Sequence, residues 1–103
     1  VLRNFKADLF KTLAHPARIR LLDVLREGEK TVAELQQALD LGQSAVSQHL
    51  AALRGKGLVV ARREGLFVRY SVADPRLWDL LDAARDFCDR LLREQRANFE
   101  AQS

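Results

Sequence analysis

A mainly α-helical domain carrying one β-hairpin is the fold class that this sequence predicts, and three observations predict it. Apolar residues recur at helical spacing through four successive stretches before Leu58. Between Leu58 and Val72 the pattern changes to strand-like runs around a Glu64-Gly65 turn. After Asp74-Pro75 a heptad-like apolar stripe begins and continues towards the C-terminus. A chain of 103 residues is the length of one domain, read as 1–103. A domain this small buries a modest share of its surface and is expected to lean on a partner.

The first helix is marked by Leu2, Phe5, Leu9 and Leu13 and stops at Ala14-His15-Pro16. Proline suits the first turn of the next helix, where its missing N–H leaves no donor unpaired, and Ile19, Leu22 and Leu25 form that helix's apolar stripe up to Gly28. Thr31 stands three residues before Glu34, the spacing of a capping box, and Val32, Leu35 and Leu39 supply the third helix's buried side. Asp40-Leu41-Gly42 makes a tight break. A fourth helix, about 43–55, then places Val46, Leu50 and Leu53 on one face and ends at Gly55 or Gly57. The hairpin, about 58–72, carries Leu58, Val59, Val60, Phe67, Val68, Tyr70 and Val72. The last helix, about 75–97, carries Leu77, Leu81, Ala84, Cys88 and Leu91 at alternating steps of four and three, and the tail after Phe99 reads as frayed.

Composition narrows the function classes. Hydrophobic residues are 48% and charged residues 30%, which suits a packed core and not a disordered chain. The longest stretch without a charged residue, Leu41 to Leu53, carries Gln43, Ser44, Ser47, Gln48 and His49, so no membrane span or membrane partner is expected. Arg3, Lys6 and Asp8 interrupt the apolar residues of the N-terminus, which argues against a secretory signal, and the expected location is the cytoplasm. Cys88 is the single cysteine, so one chain can form neither a disulfide nor an all-cysteine metal site. Without a glycine-rich phosphate loop, a nucleophile elbow or a clustered metal-ligand motif, no enzyme is expected.

The net charge is only +3, but residues 42–72 hold five basic groups and one acidic group. A basic central segment in a small domain points to a phosphate-bearing partner. Short helix, break, second helix and hairpin is the order of a winged helix-turn-helix, in which the second helix enters the major groove. At about 100° per residue, Ser44, Ser47, Gln48 and Ala51 fall opposite Val46, Leu50 and Leu53. Short hydroxyl and amide side chains on an uncharged face can pair with base edges while letting the helix approach closely. His49 borders the buried stripe, where it can bond the core, touch a phosphate, or both. Arg62, Arg63 and Arg69 flank the hairpin turn as candidates for the minor groove or a neighbouring phosphate, and Arg54 and Lys56 at the end of the reading helix are phosphate candidates. The plainer reading of the hairpin arginines is protection of an exposed strand edge by charge, and the two readings are compatible.

The stretches LFKTLAHPARIRLLDVL, TVAELQQALDLGQSAVSQHLAALRGKGLV and RREGLFVRYSV resemble the corresponding parts of the ArsR/SmtB family of small bacterial repressors. The resemblance implies a homodimer joined through its first and last helices, with one reading helix and one wing per subunit on inverted half-sites of double-stranded DNA. It places the DNA-contacting positions on Gln43, Ser44, Ser47, Gln48 and His49, with Arg62, Arg63 and Arg69 on the wing. Phe5, Leu9, Leu77, Leu81, Ala84, Cys88 and Leu91 are the expected dimer-interface residues. Function is then a transcriptional regulator, a repressor released by a metal ion or another small signal.

The family's sensing sites carry over poorly. Third-helix positions that hold cysteines in many members are Thr31, Val32 and Ala33 here, and no histidine follows Asp74 on the last helix. No family metal motif is intact, which leaves a divalent metal as an unassigned cofactor and the metal-site residues unknown. Asp8 with His15, and the run Asp79, Asp82, Asp86 and Asp89, are unfamiliar donor groups; the latter is expected to be a solvated face paired with Arg85, Arg90 and Arg93. Two other functions compete: a winged-helix protein-interaction module that does not bind DNA, and a DNA-binding regulator with no effector site.

Overall fold

In the computed structural model, which describes residues 1–102, five helices and one hairpin follow in the order α1 (Leu2–Leu13), α2 (Pro16–Leu25), α3 (Val32–Leu39), α4 (Gln43–Gly55), β1 (Val59–Glu64), β2 (Phe67–Val72) and α5 (Arg76–Gln102). Ser103, the last residue of the expected 1–103 domain, lies outside the described residues. No helix among the described residues is long and apolar enough to cross a membrane.

Local chemistry accounts for the helix boundaries. Pro16 opens α2 behind an extended His15. The Thr31 capping box closes in both directions: the Thr31 backbone N–H donates to Glu34 Oε1 at 2.9 Å, and the Glu34 N–H donates to Thr31 Oγ1 at 3.2 Å. The α3–α4 break uses its residues differently from what glycine placement suggests. Asp40 takes the left-handed conformation at φ 54°, and Gly42 is the extended N-cap of α4 at φ −74°. Aspartate tolerates that region better than most side chains.

Strands β1 and β2 are antiparallel, running in register from Val59↔Val72 to Glu64↔Phe67. The turn is therefore Gly65-Leu66, one residue beyond the expected Glu64-Gly65, and Gly65 supplies φ 61° at its first central position. One feature had no counterpart in the sequence pattern. Lys30 and Tyr70 exchange backbone hydrogen bonds of 3.1 and 2.8 Å, which stitches the α2–α3 link to the outer side of the hairpin.

The core gathers Leu13, Leu21, Leu22, Leu25, Leu35, Leu39, Val46, Leu50, Leu53, Val59 and Leu77. Burying each leucine contributes about 1.5–3 kcal/mol by area. Two expectations are corrected by this packing. Ile19, expected on the buried stripe of α2, is exposed, and Leu21 takes its place inside. Leu77, expected at a dimer interface, is 8% exposed in the single chain and belongs to the domain's own core.

The last helix also outruns its expected end near residue 97. It continues through the tail read as frayed to Gln102, and only Leu77 on it is buried. Its first turns are fixed by a bidentate pair, Arg26 Nη1 and Nη2 to the Asp82 carboxylate at 2.8 and 2.7 Å. Arg26 also lies 5.3 Å from the Trp78 ring centroid. Beyond Asp82 every described residue of α5 is exposed. The helix thus projects from a molecule measuring 60 × 36 × 22 Å.

Candidate nucleic-acid interface

Packing of α4 decides what it presents. Val46, Leu50 and Leu53 are buried, Ser44, Ser47, Gln48 and Ala51 are exposed away from them, and Gln43 and Arg54 are exposed at the two ends of the helix. That face is smooth, hydrogen-bonding and uncharged until Arg54 at its end. Arg54 makes no ion pair among the described residues, whereas Lys56 Nζ lies 3.8 Å from Asp8 Oδ2. Asp8 therefore faces Lys56, and the suggested Asp8–His15 grouping gains no support.

His49 turns inward. Its Nδ1 accepts a hydrogen bond from Arg18 Nε at 3.1 Å, and Arg18 Nη1 donates to the Thr12 carbonyl at 3.0 Å. Three helices meet through one half-buried arginine: the end of α1, the start of α2 and the middle of α4. The bond requires a neutral imidazole with its proton on Nε2. Burial first, then the charges of Arg18 and His15, holds the His49 pKa below its ordinary value. Arg18 was not singled out from sequence. The available signal was an arginine placed next to the apolar stripe of α2, where a satisfied internal partner is required.

The wing is less uniformly basic than its composition. Arg62 donates from Nε and Nη2 to Glu29 at 3.0 and 2.7 Å and from Nη1 to Glu64 at 2.8 Å. Arg69 lies 3.6 Å from Glu64 and 3.8 Å from Glu34. Hydrogen bonds from Arg62 depress the pKa of Glu29 and of Glu64. Arg63 is exposed and forms no ion pair among the described residues.

The first and last helices each leave large apolar side chains exposed. Leu2, Phe5, Phe10, Phe87, Leu91, Leu92 and Phe99 are exposed, with Phe5 at 60% and Phe87 at 69%. Leu81 and Leu9 are half-buried against the core, while Ala84 and Cys88 are exposed and line a groove with Ile19 between α2 and α5. Phe10, Phe87 and Leu92 lie off the heptad stripe, so spacing along that one line of residues does not mark them. Among the described residues no three His, Cys, Asp or Glu side chains come together as a metal-holding group. Asp82 is taken by Arg26, and Asp89 by Arg93 at 3.1 Å.

Residues 15–60, from the start of α2 into β1, match the family model of bacterial regulatory proteins of the arsR family. The chain is 45% identical over 100 residues to an uncharacterized HTH-type transcriptional regulator, Rv0081, of Mycobacterium tuberculosis, covering 96% of this chain and 88% of that protein. The chain belongs to the ArsR family. The crystal structure of Rv0081 superposes with a TM-score of 0.86 over 91% of this chain and 95% of that one. The solution structure of the homodimeric winged helix-turn-helix DNA-binding domain of Mb0332 from Mycobacterium bovis matches at 33% identity with a TM-score of 0.79, over 85% of this chain and 82% of that one. A probable mercury resistance operon repressor of Streptomyces lividans is 46% identical over 79 residues, covering 77% of this chain and 63% of that protein. This ArsR-family chain is thus a winged helix-turn-helix transcriptional regulator, and its relatives are regulators, not enzymes.

Proposed function

We infer that this ArsR-family regulator acts as a cytoplasmic homodimeric repressor that reads DNA bases with α4. The observation that carries the reading is the exposed Gln43, Ser44, Ser47 and Gln48 face, held rigidly by Val46, Leu50 and Leu53 beneath it. In this reading Ser47 and Gln48, one turn into the helix, contact base edges. Gln43 and Ser44 sit at the helix N-terminus, where backbone N–H groups favour phosphate. Arg54 and Lys56 add charge at the other end, and Arg63 does so on the wing. His49 positions the helix from inside through Arg18.

The homodimer forms through α1 and α5. The exposed Phe5 and Phe10 of α1 and Phe87, Leu91, Leu92 and Phe99 of α5 support this reading, since each helix leaves several large apolar side chains without cover. A two-fold axis between such helices presents two reading helices to one side of a duplex, roughly 34–36 Å apart. The mercury repressor among the relatives supports repression as the output. The reading assigns no metal-site residues, because among the described residues of one chain no three candidate donors come together.

Selection of bound sequences from a random duplex library tests the reading. The expected product is a pair of inverted half-sites separated by about one helical turn. Recovery of single, unpaired sites would contradict the dimeric docking, and recovery of unenriched sequence would return the chain to a protein-interaction role.

A further inference from the structure

The wing carries three arginines, and the structure treats them unequally. Arg62 has a carboxylate oxygen within 3.0 Å of each of its three guanidinium nitrogens: two from Glu29, which lies in the α2–α3 link, and one from Glu64 on the same strand. Arg69 stands opposite Arg62 across the hairpin and lies near Glu64 and Glu34. This face therefore holds two arginines among three glutamates. Arg63 is the next residue along β1, so its side chain leaves the opposite face of the strand, clear of that group.

An isolated surface pair contributes little. A bidentate arginine flanked by a second carboxylate is different, because its planar donors are already matched and a phosphate must displace a partner of the same charge and geometry. Glu29 is also joined to the hairpin through its neighbour: the Lys30–Tyr70 backbone pair fixes the link beside β2. The carboxylate is thereby kept at the distance that Arg62 needs.

We propose that Glu29 is a specificity-determining residue, which holds Arg62 away from phosphate so that the wing contributes little to sequence-independent binding. The inference rests on the DNA-binding reading above and divides the wing's work: Arg63 meets phosphate, Arg62 and Arg69 brace the hairpin against α3 and the α2–α3 link. A wing with all its arginines free would strengthen binding to every sequence alike. Discrimination by α4 would then count for less.

The test is a mutant cycle on a random-sequence duplex, reading the slope of log K against log salt by fluorescence anisotropy. Slope counts phosphate contacts, so a carboxylate bared by mutation can weaken affinity without imitating a lost contact. Arg62→Ala is expected to leave the slope unchanged in the wild-type background. Glu29→Gln should steepen it by about 0.9 per subunit, and Arg62→Ala made in that background should return it to the wild-type value. Arg63→Ala should lower it by about 0.9 per subunit. Glu29→Ala, which likewise removes both carboxylate oxygens from Arg62, should steepen the slope as Glu29→Gln does and serves as a second variant should the first fold poorly. A slope that falls on Arg62→Ala in the wild-type background overturns the proposal. So does a Glu29→Gln effect that persists without Arg62, since that would be a general charge effect. Wild-type protein that binds no duplex at low salt removes the DNA-binding reading itself.

Discussion

Gln48 and His49 are neighbours on α4 with opposite surroundings. Gln48 is exposed with its amide free for a partner, whereas His49 is fixed through Nδ1 to Arg18. The difference gives His49 a pH signature. Its pKa is lowered in the fold from 6.5, so the unfolded chain takes up the proton first as pH falls. Stability is therefore full above the unfolded value and is lost as pH drops through about 6.5 toward the folded pKa. Carboxylates such as Asp82 and Glu29, whose pKa values are depressed by arginine hydrogen bonds, lose their contribution only at lower pH, below about 4.5. Denaturant midpoints should fall as pH is lowered from about 7 to about 5 for the wild type and stay nearly level for His49→Gln. A wild-type profile that is flat across this window would remove the neutral, arginine-bonded histidine from the account. The border position of His49 was legible in sequence because it follows the periodicity of Val46 and Leu50. Its partner was not, since a residue 31 positions away in the chain leaves no trace in local spacing.

At the scale of elements, the signals that served best were those with a local cause. The Thr31–Glu34 box, Pro16 at the start of α2 and the apolar faces of α4 each act within one turn, and each is present as read. Thr31→Ala should cost about 0.5–2 kcal/mol of stability through the lost cap, and Leu50→Ala about 2–5 kcal/mol through the cavity left at a fully packed site. Equilibrium unfolding distinguishes the two magnitudes. An effect of Thr31→Ala as large as that of Leu50→Ala would mean that the cap holds more than its own helix end. The elements that sequence misjudged depend on contacts beyond one turn. Leu77 lies on the heptad line but α5 meets the core there, so it is claimed by its own domain; Ile19 lies on the α2 line but falls beside the groove toward α5. The ion pairs of Arg62 and Arg69 arise because the hairpin folds back on Glu29 and Glu34, which no count of basic residues along the wing reveals.

For the whole molecule, exposed aromatic and leucine side chains lie on α1 and α5 and hydrogen-bonding side chains on α4, so the proposed function separates pairing from reading. Phe87→Glu should give soluble monomers with unchanged helix content, because Phe87 lies outside the core, whereas Leu77→Glu should unfold the domain. Sedimentation and circular dichroism on both variants check this, and a Phe87→Glu protein that remains dimeric would move the interface elsewhere. The central claim is that α4 reads sequence, and affinity for a selected operator set against affinity for a scrambled duplex, in wild type and Gln48→Ala, tests it most directly. The account predicts a loss of roughly 1–3 kcal/mol on the operator, with scrambled DNA unaffected and the salt slope unchanged. Equal losses on both duplexes would show that α4 supplies only backbone affinity and would contradict the claim.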